Sequence, residues 1–367
     1  MEVGGSLNPT RIKVVGVGGG GCNAVNRMYV DGVEDVEIYA INTDVQHLSS
    51  LSVPHKIQIG EKVTRGLGAG AKPEVGEQAA LEDVEKIKDI LRETDMLFIA
   101  VGLGGGTGTG AAPIIAQTAK EMGILTVAVS TLPFDFEGKR RMETALEGLE
   151  RLKDSVDTYI VIHNQRLRDM NNNNRMPIKD AFREVDSVLS KAVRGITNII
   201  STSAMINVDF ADVKTVMESG GLALIGMGEG KGEGKIETAV EQAITSPLLE
   251  GNTIEGARRL LLTLWVSEDV PFNEVEQAIN VVMEKAHHEP LIIFGAVIEE
   301  GVENFMRVAV VATDFERTES EQKEEENILR VIKRETPGVK RAVPDEGISP
   351  VEPEEEIPAI LRRKRKI

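Results

Sequence analysis

Two glycine clusters carry the clearest chemistry in this sequence. Gly16, Gly18 and Gly21 give a GxGxxG pattern that starts at the end of the apolar run Ile12 to Val17. The second cluster, Gly104-Gly105-Gly106-Thr107-Gly108-Thr109-Gly110, follows the apolar run Met96 to Val101. Glycines let a backbone come close to phosphate, and a helix start supplies unpaired N–H groups with a positive dipole end. The first cluster alone fits a dinucleotide fold equally well, with Asp44 at the end of the next strand as its ribose contact. The second cluster argues against that, because a nicotinamide fold needs one such loop. Two loops at the same sheet edge suit a nucleoside di- or triphosphate wrapped in backbone N–H groups, with the Thr107 and Thr109 hydroxyls as further donors. The Walker pattern GxxxxGK[ST] is absent. Lys231 and Lys235 follow glycines, but neither has the required Gly before it or Ser/Thr after it.

Other reactive side chains carry less. His287 and His288 are adjacent, a spacing that does not converge on a metal, so a surface or interdomain role is expected. Cys22 sits at a helix N-terminus, where a thiol pKa can fall, but no base partner is in view and small-residue packing is the better reading. Asp209 and Asp212 are three apart, which puts both carboxylates on one face of a helical turn.

Composition bounds the function. The net charge of −17 and an aromatic content of 4% argue against backbone-wide or stacking-based nucleic-acid binding. A single cysteine fits a reducing cytosol. The first residues lack a signal peptide's basic start and apolar core, and no apolar run reaches the roughly 18 residues of a spanning helix. A cytoplasmic protein is expected.

The elements that must hold these residues alternate. Strands are expected at 12–17, 36–41, 96–101, 124–130 and 158–163, with helices from about Asn23, over 74–93 and from near Ala111. Near-continuous apolar strands alternating with helices predict a parallel sheet covered on both faces. The asparagine run 171–174 reads as a loop. After Pro177, apolar positions from Ile178 to Ile200 keep helical period over about 25 residues, a candidate rod between two domains. A second unit follows, with strands near 222–227, 258–266, 291–298 and 305–313 and helices near 235–246 and 272–286. Its GMGEGKGEGK stretch, 226–235, reads as a flexible turn. From Glu316 the sequence turns into a charged, Pro- and Gly-containing stretch too poor in apolar residues to pack.

The GGGTGTG sequence, with GGGGCN at 18–23, AINTD at 40–44, GLGAGAKPEVG at 66–76 and NVDFADV at 207–213, resembles the tubulin/FtsZ GTPase family. The likeness covers residues 10–315 and the extreme C-terminus, and it favours the bacterial cell-division branch over the longer eukaryotic tubulins. The resemblance implies an α/β fold in which a Rossmann-like parallel-sheet GTPase domain is joined by a long central helix to a smaller α+β domain. It implies 1–9 as a disordered N-terminus, 10–175 as the GTP-binding domain and 176–202 as the central helix. The region 203–315 becomes a C-terminal GTPase-activating domain, 316–353 a linker and 354–367 a partner-binding tail.

By the same resemblance, Gly19, Gly20, Gly21, Cys22 and Asn23 form the first phosphate loop, with Asn23 also near the nucleoside. The second loop is Gly104 to Gly110, centred on Gly106, Thr107 and Gly108. Ala69 and Gly70 approach the γ-phosphate, while Lys72 stands where the family often has Asn. Glu137 and Arg141 contact ribose, Asn164 and Asp186 read guanine, and Phe182, one helical turn before Asp186, stacks on the base. An Asp carboxylate accepts from the guanine N1–H and N2–H₂ pair, which adenine does not offer. Without the resemblance, Phe182 would be a core residue and Asp186 a solvated helix charge. Asp209, Asp212 and Asn207 complete the catalytic site of the next subunit, because the long helix keeps them from their own chain's γ-phosphate. GTP/GDP with Mg²⁺ on the phosphates are the implied cofactors, with no separate protein metal site. Head-to-tail self-assembly gives open filaments that form a midcell division ring beneath the inner membrane. The motif at 356–361 resembles a peptide that binds membrane tethers such as the actin-like FtsA, so any membrane contact is indirect. The basic residues 362–366 either add attraction to anionic surfaces or are plainly solvated.

Overall fold

In the computed structural model, the residues described are 10–33, 35–170, 177–201, 205–245 and 253–315. The expected N-terminal segment 1–9, asparagine run 171–174, linker 316–353 and tail 354–367 lie outside them. Chain contacts separate Met1–Arg317 from Thr318–Ile367, and the first of these units carries every element below.

Seven parallel strands form the first sheet: β1 (Ile12–Val17), β2 (Glu37–Asn42), β3 (His55–Gln58), β4 (Met96–Gly102), β5 (Leu125–Leu132), β6 (Thr158–His163) and β7 (Gly221–Leu222). Their order is β3-β2-β1-β4-β5-β6-β7. Every residue of β1 and β5 is buried, as expected of strands covered on both faces. Alternate residues face opposite layers. Val14, Phe98 and Val127 pack against the helices Gly18–Val30 and Ile178–Ser201. Val15, Leu97 and Ala128 pack against Pro73–Glu82, Val84–Leu91, Thr107–Glu121 and Lys139–Lys153.

A single residue, Ala223, separates β7 from β8 (Leu224–Lys231), so the chain crosses directly into a second sheet with β9 (Ala257–Val266), β10 (Leu291–Ile298) and β11 (Phe305–Phe315). Its order is β10-β9-β11-β8, with β10 parallel to β9 and β11 antiparallel to both neighbours. The expected fold class is therefore the observed one. The central helix spans Ile178–Ser201, and its Val185, Leu189, Ala192 and Ile196 share one apolar cluster with both sheets, including Ile225, Leu261 and Val311 of the second. No helix among the described residues is long and apolar enough to cross a membrane.

Three expectations change. Residues 226–231 are not a flexible turn but most of strand β8. Gly226, Gly228 and Gly230 recur at the strand period of two, and the helix Lys235–Ile244 lies against that bare face. A Cβ at Gly226 would fall 1.7 Å from the Ala243 carbonyl oxygen, and one at Gly228 would fall 2.1 Å from that of Ala239. The expected helix over 74–93 breaks at Asp83, whose Oδ2 accepts the Gly60 N–H at 2.8 Å. Both glycine clusters also enter their helices: one helix begins at Gly18 and the other at Thr107, earlier than Asn23 and Ala111.

Candidate functional site

The two clusters meet because β1 and β4 are adjacent and in register, with Gly16 beside Ala100 and Val17 beside Val101. Both following loops leave the carboxyl ends of their strands at the middle of the sheet, where open α/β sheets bind ligands. The glycines there divide by what a side chain would meet. Gly18 has φ +70°, and its Cβ would sit 2.6 Å from the Gly108 nitrogen, so the loops touch backbone to backbone. At Gly21 a Cβ would lie 2.1 Å from the Ala100 carbonyl oxygen, and at Gly110 1.9 Å from that of Pro73. A Cβ at Gly19, Gly70 or Gly105, by contrast, would meet nothing within 4 Å. Packing requires glycine at the first three positions. The other three line open space that a ligand can approach.

Three helices begin beside this space. Gly18–Val30, Thr107–Glu121 and Pro73–Glu82 all start without a side-chain cap. The first two leave their opening N–H groups for an anion, whereas the third opens on proline, which has no N–H, and its Val75 and Gly76 N–H groups bond the Lys72 carbonyl oxygen. The third joins the site because Gly106 packs on the segment before it: a Cβ on Gly106 would lie 2.8 Å from Ala69 Cβ and 2.9 Å from the Lys72 nitrogen. Ala69, Gly70 and Gly106 are thereby brought together, with Gly20 exposed on the opposite loop.

Several of the expected ligand contacts also bond within the protein. The Thr109 hydroxyl accepts the Gly104 N–H at 2.9 Å and is buried, so it staples its own loop. Thr107 Oγ1 lies 2.7 Å from Thr43 Oγ1, tying the second loop to the end of β2. Asp44 Oδ1 accepts the N–H groups of Gln46 and His47, which makes its carboxylate the cap of the short helix Val45–Ser50. Cys22 is fully buried, with Sγ 3.4 Å from the carbonyl oxygens of Gly16 and Ile41. Burial pushes its thiol up to about 12, partly offset by the Ile41 hydrogen bond. The thiol is thus raised and not lowered at this helix start, which fits the packing reading of Cys22.

The far end of the cleft is aromatic and polar. Phe182 is 40% exposed and meets Phe134 edge-on at 5.3 Å between ring centroids, while Phe134 stacks on Phe136 at 5.2 Å. Arg141 Nε pairs with Glu137 Oε2 at 3.2 Å, and Glu137 Oε1 accepts the Phe134 N–H at 2.9 Å. The Arg141 carbonyl oxygen would lie 2.7 Å from a Cβ on Gly104, which links this pair to the second loop. Asn164 is buried, and its Oδ1 has no hydrogen-bond partner. An orphaned buried acceptor costs about 1–3 kcal/mol, so this oxygen suits a donor from a ligand. Burial raises the Asp186 carboxyl to about 7, opposed by the nearby Arg27 charge. Sequence reasoning missed Phe134, Phe136, Thr43 and His47. The Phe-Asp-Phe step, in a chain so poor in aromatics, was the available signal for the first two.

The acidic pair stands apart from this cleft. Asp209 and Asp212 begin the helix Phe210–Met217 and cap each other's backbone. Their approach segment is pinned to the edge of the second sheet, where Ile206 and Ala296 exchange two backbone hydrogen bonds of 3.1 Å. Gly295 permits that approach, since a Cβ there would lie 3.0 Å from Val208 Cγ2 and 3.1 Å from the Ile206 carbonyl oxygen. Asn207 is exposed between them. The central helix, 24 residues long, separates the two regions. At 1.5 Å per residue it measures about 36 Å. Within one chain, the phosphate loops and the acidic pair lie at opposite ends of that rod.

The model of the tubulin/FtsZ family GTPase domain matches residues 11–172, and that of the FtsZ family C-terminal domain matches 221–316. The chain is 65% identical to the cell division protein FtsZ of Aquifex aeolicus, over 98% of each sequence. It is 48% identical to cell division protein FtsZ 1 of Archaeoglobus fulgidus, over 83% of this chain and 82% of that one. Among solved structures, an empty FtsZ dimer from M. jannaschii superposes with a TM-score of 0.77 at 47% identity, over 84% of this chain and 89% of that one. A GTPγS-bound CetZ2 protofilament from Haloferax volcanii shares the fold at 21% identity and a TM-score of 0.73, over 89% and 100%.

Proposed function

The chain belongs to the tubulin/FtsZ family of GTPases, and from that premise we propose that it assembles head-to-tail into filaments whose active sites form between neighbouring subunits. The observation that carries this reading is the separation of the phosphate loops from Asp209 and Asp212 by the length of the central helix. One chain supplies the nucleotide cradle and the next supplies the acidic pair. The FtsZ dimer from M. jannaschii, at 47% identity, supports self-association of this kind. Head-to-tail contacts that do not close generate open filaments.

In this reading the uncapped helix starts and the backbone of Gly19–Gly21 and Gly105–Gly108 bind the phosphates. Gly70 faces the γ-phosphate, and Glu137 with Arg141 borders the ribose. Guanine lies on Phe182, with Asp186 accepting from its N1–H and N2–H₂ and Asn164 Oδ1 accepting a further donor. Phosphoryl transfer is mostly a matter of positioning and charge stabilisation. The free oxygens of Asp209 and Asp212, with Asn207, orient the attacking water of the subunit next door. Among the described residues no group of three His, Cys, Asp or Glu is placed to hold a metal. In this reading the triphosphate oxygens, with water, would hold a Mg²⁺ ion that neutralises their charge.

In this reading 10–175 binds nucleotide, 176–202 is the rod and 203–315 activates hydrolysis. Residues 356–367 carry the tethering peptide for a membrane-bound division protein such as FtsA, and the filaments act in the cytoplasm as the midcell ring. Pelleting with GTP, GDP or ATP tests assembly directly. GTP alone should drive the protein into the pellet, and Phe182→Ala should weaken that response. Equal pelleting with all three nucleotides would refute the reading.

A further inference from the structure

His47 holds a position that none of the roles above uses. Its backbone N–H bonds Asp44 Oδ1 at 3.1 Å. Its ring bridges two asparagines, with Nδ1 2.9 Å from Asn42 Nδ2 and Nε2 2.9 Å from Asn23 Oδ1. The direction of each bond can be worked out. Asn42 Oδ1 accepts the Thr43 N–H at 2.8 Å and faces the Asp44 N–H at 3.4 Å, which fixes that amide with its NH₂ toward the ring. His47 Nδ1 must then accept, so the ring proton sits on Nε2. Nε2–H donates to Asn23 Oδ1. This orientation leaves the NH₂ of Asn23, an exposed residue of the first glycine loop, as its free end.

We infer that His47 is a positioning residue for nucleotide binding: it holds the Asn23 amide so that an NH₂ donor, and not a carbonyl, is presented to an acceptor on the nucleoside. The inference rests on the reading of the two-loop cleft as the GTP site. Without the ring, the Asn23 amide turns freely and presents either end. The affinity lost is that of one oriented hydrogen bond. His47 touches no reacting atom, so turnover at saturating GTP is untouched.

The test is calorimetric GTP and GDP binding to the full chain carrying His47→Leu, His47→Gln, Asn23→Ala or both His47→Leu and Asn23→Ala. Leu fills the space without hydrogen bonds, while Gln offers one donor and one acceptor side by side. His47→Leu should weaken binding about five- to tenfold, the effect of one lost hydrogen bond, with kcat at saturation unchanged. His47→Gln should stay within about twofold of wild type, and His47→Leu should have no added effect once Asn23 is Ala, because coupled residues are not additive. If His47→Leu does not fold, Asn23→Asp replaces it: the bond to His47 survives but the donor becomes an oxygen, and affinity should fall at least as far. Wild-type affinity in His47→Leu or Asn23→Asp, or an undiminished His47→Leu effect in the Asn23→Ala background, would overturn the role of His47. A wild-type chain that does not bind GTP would instead overturn the site reading itself.

Discussion

Asp209 and Asp212 cap one another: Asp209 Oδ1 accepts the Asp212 N–H at 2.9 Å, and Asp212 Oδ2 accepts the Asp209 N–H at 3.1 Å. Each carboxylate therefore spends one oxygen on the helix start, and its second oxygen is the one available for the proposed role in hydrolysis. The two uses can be separated. Asp212→Asn retains an acceptor for the cap and loses the negative charge, whereas Asp212→Ala loses both. Hydrolysis should fall by about 10²-fold or more in each, as for loss of a positioned acid–base group. Only Asp212→Ala should also lower stability, by about 1 kcal/mol. Steady-state GTP turnover beside thermal melts checks this, and GTP binding should be unchanged in both.

If Asp186 reads the base as proposed, its raised carboxyl makes GTP binding depend on pH. Burial raises Asp186 to about 7, and only its ionised form accepts from both guanine donors. GTP affinity should therefore fall as pH drops from 8 to 6, steepening below 7. Stability of the nucleotide-free protein should respond in the opposite sense. The folded pKa lies above the unfolded one, so this group's stabilisation is complete below about 4 and is lost as pH rises through about 7. Arg27→Ala removes the charge that opposes the shift and should move the binding midpoint to higher pH. Calorimetry at several pH values reads both effects, and a pH-independent affinity would contradict the assignment.

Gly295 fixes where the acidic pair stands. A side chain there pushes Ile206 and Val208 off strand β10. Gly295→Val should reduce hydrolysis by about tenfold to a hundredfold through misplacement of Asp209 and Asp212, while GTP affinity stays at the wild-type value. Parallel binding and turnover assays separate the two.

The glycine face of β8 is a packing requirement. Gly228→Ala places a methyl group 2.1 Å from the Ala239 carbonyl oxygen, a conflict with backbone that no rotamer relieves. Stability should drop by about 3 kcal/mol, at the upper end of overpacking costs, as read by denaturant unfolding. The neighbouring Gly232, with φ +74° and open space around it, gives a control in which strain comes from backbone alone.

That face also marks where sequence reasoning stops. Strands β1, β4 and β5 were legible because both of their faces are apolar, and the phosphate loops because glycine density between a strand and a helix has few other uses. Glycine has no hydropathy to alternate, so the period-two pattern of Gly226, Gly228 and Gly230 read as a turn. Strand β3 was invisible because its residues are largely exposed. The break at Asp83 follows from a bond to Gly60, 23 residues away. The stapling by Thr109 and the His47 bridge likewise depend on partners that only the fold brings near. Phe182 and Asp186 come from family resemblance alone, and the structure sets the Phe182 ring edge-on to Phe134. The resemblance gave no sign of Phe134 and Phe136 beside them.

The central claim is that one chain lacks a complete catalytic site, and the most direct measurement is GTP hydrolysis per molecule as protein concentration is raised, beside Asp212→Ala. The account predicts negligible turnover below a threshold and a steep rise above it, with the variant binding GTP but failing to hydrolyse it at any concentration. A rate per molecule that is flat with concentration would mean that a single chain carries the whole site, and the shared-site mechanism would be wrong.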